Sequence, residues 1–185
     1  MAAGAQAGAG RRGSRWSIAA WAAAALILLL PLVAMQFTDE VSWTVSDFVF
    51  AGALLFGALG TYELTVRTTG NSAYRAAVGV ALAAAVLLLW ANAAVGVTDG
   101  AADALYPGVP AVGIFGALVA RFQPRGMARA MLATALAQAL IGVIALVAGM
   151  VPAYNSAFEI LGITGFFAAL FVGSALLFRE SARRT

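Results

Sequence analysis

The chain is built from apolar segments that are about as long as a lipid bilayer is thick. The first segment, residues 18–37, holds about 20 residues, and an α-helix of that length spans roughly 30 Å, the thickness of the hydrocarbon core. Similar segments follow at residues 44–66, 72–97, 127–151 and 157–178. Because only helices and closed barrels satisfy their own backbone inside lipid, segments of this length predict transmembrane helices.

A shorter apolar segment, residues 109–122, precedes the segment at 127–151. Its clean apolar part spans only roughly 21 Å, so it crosses the bilayer only if the helix starts near Ala104 and tolerates a kink at Pro107 or Pro110. The sequence therefore predicts an all-α integral membrane protein, a bundle of six transmembrane helices. The fourth helix is expected to be short or kinked at proline.

The composition agrees with a membrane protein and excludes much chemistry. The chain is 63% hydrophobic and 10% charged, whereas soluble proteins carry about 25% charged residues. It contains no Cys and no His. This removes disulfides, thiolate nucleophiles, imidazole acid–base pairs and the usual ligands of zinc, copper and haem. We therefore predict no catalytic residue, no cofactor and no metal site.

The arginines predict the orientation of the helices. If six helices alternate from a cytoplasmic amino terminus, all 11 basic residues fall on the inner side. They are Arg11, Arg12, Arg15, Arg67, Arg75, Arg121, Arg125, Arg129, Arg179, Arg183 and Arg184. The outer loops contain Asp39, Glu40, Asp99 and Asp103 and no basic residue. This partition obeys the positive-inside rule and predicts that both termini are cytoplasmic.

The two ends of the chain differ from the apolar region between them. Residues 1–15 lack an apolar face and predict a disordered cytoplasmic tail. Residues 16–180 predict a single transmembrane helical domain, and residues 181–185 a second cytoplasmic tail. A cleaved signal peptide is the alternative for the first helix because arginines precede it. However, its apolar run is long for a signal core, and no clean small-residue cleavage site follows.

Two helix starts carry capping-box patterns. Ser156 is followed at the third position by Glu159, and Thr44 is followed in the same way by Asp47. In this motif the two side chains satisfy free backbone N–H groups reciprocally. We therefore interpret these carboxylates as helix caps.

Glu63 is the carboxylate that capping does not explain. It lies about one turn inside the cytoplasmic end of the second helix, where an unpaired carboxylate is costly. Arg67 lies four residues later, the favourable order for an ion pair on one helix face. We predict a Glu63–Arg67 clamp that Arg75 or Arg129 could join, and a proton or cation site remains the alternative.

Asn92 and Gln138 are amides within apolar segments. Such groups form hydrogen bonds between membrane helices, so we expect both to hold helices together. Counted from the cytoplasmic ends, Glu63, Gln138 and Asn92 lie at heights of roughly 6, 16 and 27 Å. Groups about 10 Å apart cannot share one coordination site, because hydrogen bonds need 2.7 to 3.2 Å.

Small residues recur at four-residue spacing in two helices. Ala53, Gly57 and Thr61 form one stripe in the second helix, and Gly165, Ala169 and Gly173 form another in the sixth. Such faces allow close helix approach, either within the bundle or against a second copy or another membrane protein. Besides the lipid bilayer, these are the partners that we expect. The pI of about 10.0 reflects the inward arginines, and nucleic-acid binding is not expected.

Several short motifs resemble an uncharacterised family of small multi-pass bacterial inner-membrane proteins. The motifs are Trp43-Thr44 with Asp47-Phe48, Tyr62-Glu63, Tyr74-Arg75 and residues 90–96. The similarity extends from the second to the fifth helix. No activity is established for that family, so the resemblance implies a bacterial inner membrane and a helical architecture, and it assigns no catalytic residue.

Three classes of function are compatible with these features. A non-catalytic accessory or scaffolding protein predicts polar groups that are all satisfied locally. A small-solute or ion transporter predicts polar groups that converge near the middle of the bilayer. A membrane enzyme would depend on carboxylates that mostly resemble caps. We favour the accessory or scaffolding protein.

Overall fold

A computed structural model describes residues 3–95, 98, 100–150 and 156–184, and side chains from residue 17 onward except at 95–97, 99–102 and 151–155. Within these residues the chain forms helices and no strand. The α-helices are α1 (Ala3–Ala34), α2 (Val45–Thr68), α3 (Ser72–Val95), α4 (Gly108–Val119), α5 (Pro124–Val147) and α6 (Ala157–Arg183). A short 3-10 helix, Gly100–Leu105, lies between α3 and α4.

Five of these helices are long and apolar enough to cross a membrane, namely α1, α2, α3, α5 and α6. The fourth, α4, has 12 residues and spans about 18 Å. The predicted all-α membrane bundle with a short fourth helix is confirmed. The sequence allows α4 to start near Ala104, but Ala104 lies in the 3-10 helix and α4 starts at Gly108.

The ends of α1 and α6 differ from the predicted boundaries. The backbone is helical from Ala3, whereas the sequence predicts a disordered tail over residues 1–15. At the other end α6 continues to Arg183, where Glu180 pairs with Arg183 and Arg184 at N···O distances of 3.8 and 2.9 Å.

Both predicted capping boxes are confirmed. The Ser156 N–H donates to Glu159 Oε2 at 2.6 Å, and the Glu159 N–H donates to Ser156 Oγ at 3.3 Å. At the start of α2, the Thr44 N–H donates to Asp47 Oδ2 at 2.7 Å, and the Asp47 N–H donates to Thr44 Oγ1 at 3.4 Å. These local bonds satisfy N–H groups that have no partner within the helix.

The chain divides into two compact units, Met1–Leu64 and Thr65–Thr185, where the sequence predicts a single domain. In the first unit, α1 meets α2 through the Trp21 ring, which stacks on Phe56 with ring centroids 5.7 Å apart. One turn before Phe56 on α2, Gly52 is buried, and a Cβ added there would lie 3.6 Å from Leu28 of α1.

The second unit has a continuous core. Within it α5 packs against α4 and α6, and α3 packs against α6. Glycines allow these helices to approach closely: a Cβ added at Gly116 would lie 2.7 Å from the Cβ of Ala130, and one added at Gly142 would overlap Thr164. The largest fully buried apolar side chains are Tyr106, Phe171, Phe178, Leu88 and Ile160.

Candidate functional site

The Glu63 carboxylate accepts a hydrogen bond from the indole of Trp21 on α1. The distance between Trp21 Nε1 and Glu63 Oε2 is 2.7 Å, and both side chains are half-buried. A charge-assisted bond of this length stabilises the ionised carboxylate. The sequence analysis did not find this partner. Its signal was present, because Trp21 lies near the start of the first apolar segment and Glu63 near the end of the second, and consecutive antiparallel helices bring these two positions together.

Arg75 caps the end of α2. Its guanidinium Nε donates to the Thr69 carbonyl at 2.7 Å, and its Nη2 donates to the Val66 carbonyl at 2.8 Å. A cation is favourable there because the last carbonyls of a helix lack partners and carry partial negative charge. Because the Arg75 guanidinium donates to these two carbonyls, the expectation that it joins Glu63 is not supported. Arg67 lies one turn after Glu63 on α2 and is exposed, and their pairing stays a prediction.

The Asn92 amide holds the loop that follows α3. Its Nδ2 donates to the Asp103 carbonyl in the 3-10 helix at 3.2 Å. The Asp103 carboxylate in turn accepts from the backbone N–H and hydroxyl of Thr98, at 2.8 and 2.9 Å. Asn92 therefore bonds to a connecting segment rather than to another long helix, and its Oδ1 is buried without a partner among the described residues.

Gln138, in the middle of α5, is fully buried. Neither its Nε2 nor its Oε1 has a hydrogen-bond partner within the described part of the chain. The expected bond to another helix is therefore not formed there. An unpaired buried amide costs about 1–3 kcal/mol, so Gln138 is the polar group with the least structural explanation.

Two other buried hydroxyls share this condition. Thr164 Oγ1 on α6 and Tyr106 Oη before α4 have no partner among the residues described. Other buried hydroxyls in the same unit are bonded: Thr134 Oγ1 donates to the Ala130 carbonyl at 2.9 Å, and Ser174 Oγ donates to the Ala77 carbonyl of α3 at 2.8 Å. Sequence reasoning did not identify the Ser174 bond, because it depends on which face of α6 meets α3.

The register of the helices shows which candidates lie together. Gly142 faces Thr164 across the α5–α6 contact, and Gln138 lies one turn before Gly142. The Ser174–Ala77 bond sets the register of α3 against α6, and following it places Asn92 about 13 Å from the level of Gln138 along the bundle. The structure therefore places Gln138 near Thr164 and leaves Asn92 apart.

Within its own unit, each small-residue stripe makes no close helix contact. Gly165 and Ala169 on α6 are exposed, as are Ala53 and Gly57 on α2. A Cβ added at Gly165, Gly173 or Gly57 would meet nothing within 4 Å. The Thr61 hydroxyl donates to the Gly57 carbonyl of its own helix at 2.8 Å. Neither stripe is therefore used for packing among the helices of its own unit.

The carboxylates that the structure describes are mostly engaged by neighbouring groups. Those with a hydrogen bond or ion pair are Asp47, Glu63, Asp103, Glu159 and Glu180. Among the described residues no group of three acidic side chains is placed to hold a metal ion. The polar groups that are both buried and unengaged are uncharged, so their chemistry is hydrogen bonding rather than acid–base catalysis.

Comparison with known proteins gives the chain no relative. No protein-family model, no curated protein and no solved structure matches it. The resemblance to a bacterial inner-membrane family therefore stays a prediction, and the functional argument rests on the residues themselves.

Proposed function

We propose that this chain is a non-catalytic accessory or scaffolding protein of the bacterial inner membrane, with both termini cytoplasmic. The observation that carries the proposal is the stripe of Gly165, Ala169 and Gly173 on α6, in which Gly165 and Ala169 are exposed and a Cβ added at Gly165 or Gly173 would meet nothing within 4 Å. The opposite face of α6 packs against α3 and α5, so the stripe is available to a helix outside the chain. Small residues let such a helix approach closely enough for backbone contact.

The partner that the stripe would take is a second copy of this chain or another membrane protein. The engagement of most described carboxylates supports the non-catalytic part of the proposal, because a membrane enzyme without His or Cys would depend largely on such groups. The lipid bilayer surrounds the remaining exposed apolar residues.

Photo-crosslinking from Ala169 tests this proposal. A photoreactive amino acid at Ala169 should give a discrete adduct in native membranes, whose mass shows whether the partner is a second copy. Leu136 on α5 provides the matched control, since it is 71% exposed and the α5–α6 register places it at nearly the same depth. Adducts of equal yield at both positions, or none at Ala169, would contradict the proposal.

A second candidate is a small-solute or ion transporter, favoured by the buried and unpartnered amide of Gln138. We do not expect a relay through Glu63, Gln138 and Asn92, because these groups are too far apart along the helices for direct hydrogen bonds. Purified protein in liposomes should therefore move no protons. A flux that Gln138→Leu or Asn92→Leu abolishes at unchanged protein levels would establish the transporter instead.

A further inference from the structure

The arginine-rich end of the second unit has few carboxylates to balance its charge. Between Asp103 and Glu159 the chain contains no acidic residue, so the only ionisable charges that α4 and α5 contribute are those of arginines. At the same end of α6, the Glu180 carboxylate already pairs with Arg183 and Arg184. An anion that balances the other arginines must therefore come from outside the chain.

Three arginines at this end are exposed and unengaged. They are Arg125 and Arg129 on α5 and Arg179 on α6, and among the described residues none of them has a hydrogen bond or an ion pair. Arg75 differs from them, because its guanidinium caps α2. A guanidinium presents five N–H donors in a planar fork that matches the oxygens of a phosphate. The three side chains are therefore available to an anion of that kind.

The contact between α5 and α6 brings these arginines to one level of the bundle. The two helices follow each other in the chain and are antiparallel, and Gly142 on α5 faces Thr164 on α6. Measured from that contact toward the arginine-rich end, Arg125 lies about 26 Å away, Arg129 about 20 Å and Arg179 about 23 Å. Arg179 therefore lies midway in height between the two arginines of α5.

The arginines also lie on one side of the α5–α6 contact. At about 100° per residue, Arg125 lies roughly 100° around α5 from Gly142, away from the face that meets α4. In the same sense of rotation, Arg179 lies about 60° around α6 from Thr164, away from Ser174, which meets α3. Since the helices are antiparallel, the same sense of rotation leads to the same side of their contact. The guanidiniums of the two helices therefore border one stretch of the outer surface.

The face of α5 that carries the arginines continues as an exposed apolar surface. Leu136, Leu140 and Val143 lie within about 60° of Arg125 around the helix and are 71%, 59% and 52% exposed. Arg125 and Arg129 lie roughly 16 and 10 Å from the middle of α5, near the boundary of a hydrocarbon core about 30 Å thick. Their side chains tilt toward the amino-terminal end of the helix, and therefore toward that boundary. One surface thus presents cations at the depth of the phosphates and aliphatic side chains at the depth of the acyl chains.

We propose that this surface, formed by Arg125, Arg129 and Arg179 with the apolar face of α5 beside them, is a binding site for an anionic phospholipid. The guanidiniums donate to the phosphate oxygens of the headgroup, and the acyl chains lie along the aliphatic side chains. The continuity of the cations with an exposed apolar surface favours a lipid over free phosphate. In the orientation proposed above, the lipid belongs to the cytoplasmic leaflet, where basic pockets between helices bind anionic headgroups.

The inference goes beyond the scaffolding function and does not depend on it, because a lipid site requires neither a partner helix nor flux. If the adduct at Ala169 were absent, the lipid site would be unaffected. If the lipid failed to bind, the argument from the α6 stripe would be unaffected. The two proposals can therefore fail separately.

Lipid binding to the purified full chain tests the inference. Delipidated protein in a neutral detergent is titrated with phosphatidylglycerol, with phosphatidylcholine or with soluble glycerol 3-phosphate, and native mass spectrometry counts the bound molecules. We expect phosphatidylglycerol to bind saturably and at least about tenfold more tightly than phosphatidylcholine, because several arginines face its net charge. Glycerol 3-phosphate should not bind saturably, because it has the phosphate but no acyl chains.

Charge-matched variants then locate the site. Arg125→Gln and Arg179→Gln should each weaken the binding of phosphatidylglycerol about fivefold, which corresponds to about 1 kcal/mol for one basic residue near an anionic lipid. Arg121→Gln is the matched control, because Arg121 is also exposed and unengaged. It follows Ala120, which meets Gly126 on the α4 side of α5, so this variant should weaken binding less than about twofold. None of the three side chains bonds within the described chain, so all of the variants should fold.

The inference is overturned if phosphatidylcholine binds as tightly as phosphatidylglycerol, or if Arg121→Gln weakens binding as much as the two variants of the site, because the arginines would then act only through their net charge. It is also overturned if glycerol 3-phosphate binds as tightly as the lipid, because the site would then recognise free phosphate.

Discussion

The two units of the chain use similarly apolar helices in different ways. In the first unit only 6% of the apolar window of α1 is buried, whereas in the second unit 39% of the window of α5 is buried, and the two windows are equally hydropathic. Among the described residues, the helices of the first unit meet at an aromatic stack and an indole–carboxylate bond. The second unit has a continuous core with helix contacts at glycine. Apolar composition therefore predicts insertion into a membrane, but not which helices form a core.

The difference between the units follows from how closely helices approach. In lipid the apolar character of a side chain gives no advantage to helix association, so van der Waals packing and interhelical hydrogen bonds decide it. Gly116 and Gly142 are in close contact with neighbouring helices, whereas Gly57 and Gly60 of α2 face open space. The predictions below test this contrast, beginning with the largest effect.

The stability effect of replacing a glycine by alanine should differ most between the two units. Gly116→Ala would place a Cβ 2.7 Å from the Cβ of Ala130 and 3.2 Å from its Cα. Because an alanine cannot rotate away, the helices must move apart, and we expect a loss of about 1–3 kcal/mol. Unfolding by SDS titration measures it.

Gly57→Ala is the control for this prediction, because its new Cβ would meet nothing within 4 Å. It should be neutral or stabilising by about 0.5–1 kcal/mol, since alanine is the better helix former. Equal losses for both variants would show that the glycines of the second unit are not used for close packing.

Gln138→Leu should leave the protein folded and stabilise the second unit. It removes a buried amide that has no partner among the described residues, and we expect a gain of about 1 kcal/mol. The same SDS titration detects it as a raised midpoint. A loss of stability would instead mean that the amide is hydrogen-bonded in the membrane.

The coupling energy between Trp21 and Glu63 should exceed the coupling energy between Glu63 and Arg67. A double-mutant cycle of Trp21→Phe and Glu63→Leu should give about 1.5 kcal/mol, as for hydrogen bonds to charged groups, because neither variant keeps the bond. A cycle of Glu63→Gln and Arg67→Gln should give only about 0.3–0.5 kcal/mol, because Arg67 is exposed and near water. Additive effects in the first cycle would show that the indole bond does not contribute to stability.

The features that the sequence predicts well are local ones. Thr44 with Asp47 and Ser156 with Glu159 form their caps because each pair lies within one turn, and no tertiary contact is needed. The lengths of α2, α3 and α5 follow from their apolar runs in the same way. The short α4 is also predictable, because Pro107 and Pro110 limit where its helix can start.

The features that the sequence does not predict depend on which helix faces meet. Gly142 of α5 is packed against Thr164, whereas Gly165 of α6 is exposed with open space beside it, although both lie within apolar helical sequence. Gln138 matches the pattern of an amide that bonds between helices, yet the side chain that lies opposite it is decided by the register of α4 and α6. The Trp21–Glu63 bond was foreseeable from topology, because both residues are predicted at the cytoplasmic side.

The central claim is that six helices cross the membrane and leave both termini in the cytoplasm. Reporter fusions test it most directly, because they show on which side of the membrane each loop lies. We predict that fusions at Asp39 and Asp103 report the outer side and that fusions at Gly70, Gly126 and Arg184 report the cytoplasm. Gly126 is decisive because it follows the short α4. If fusions at Gly126 and Arg184 report the outer side, α4 does not count as a crossing and the six-helix account is wrong.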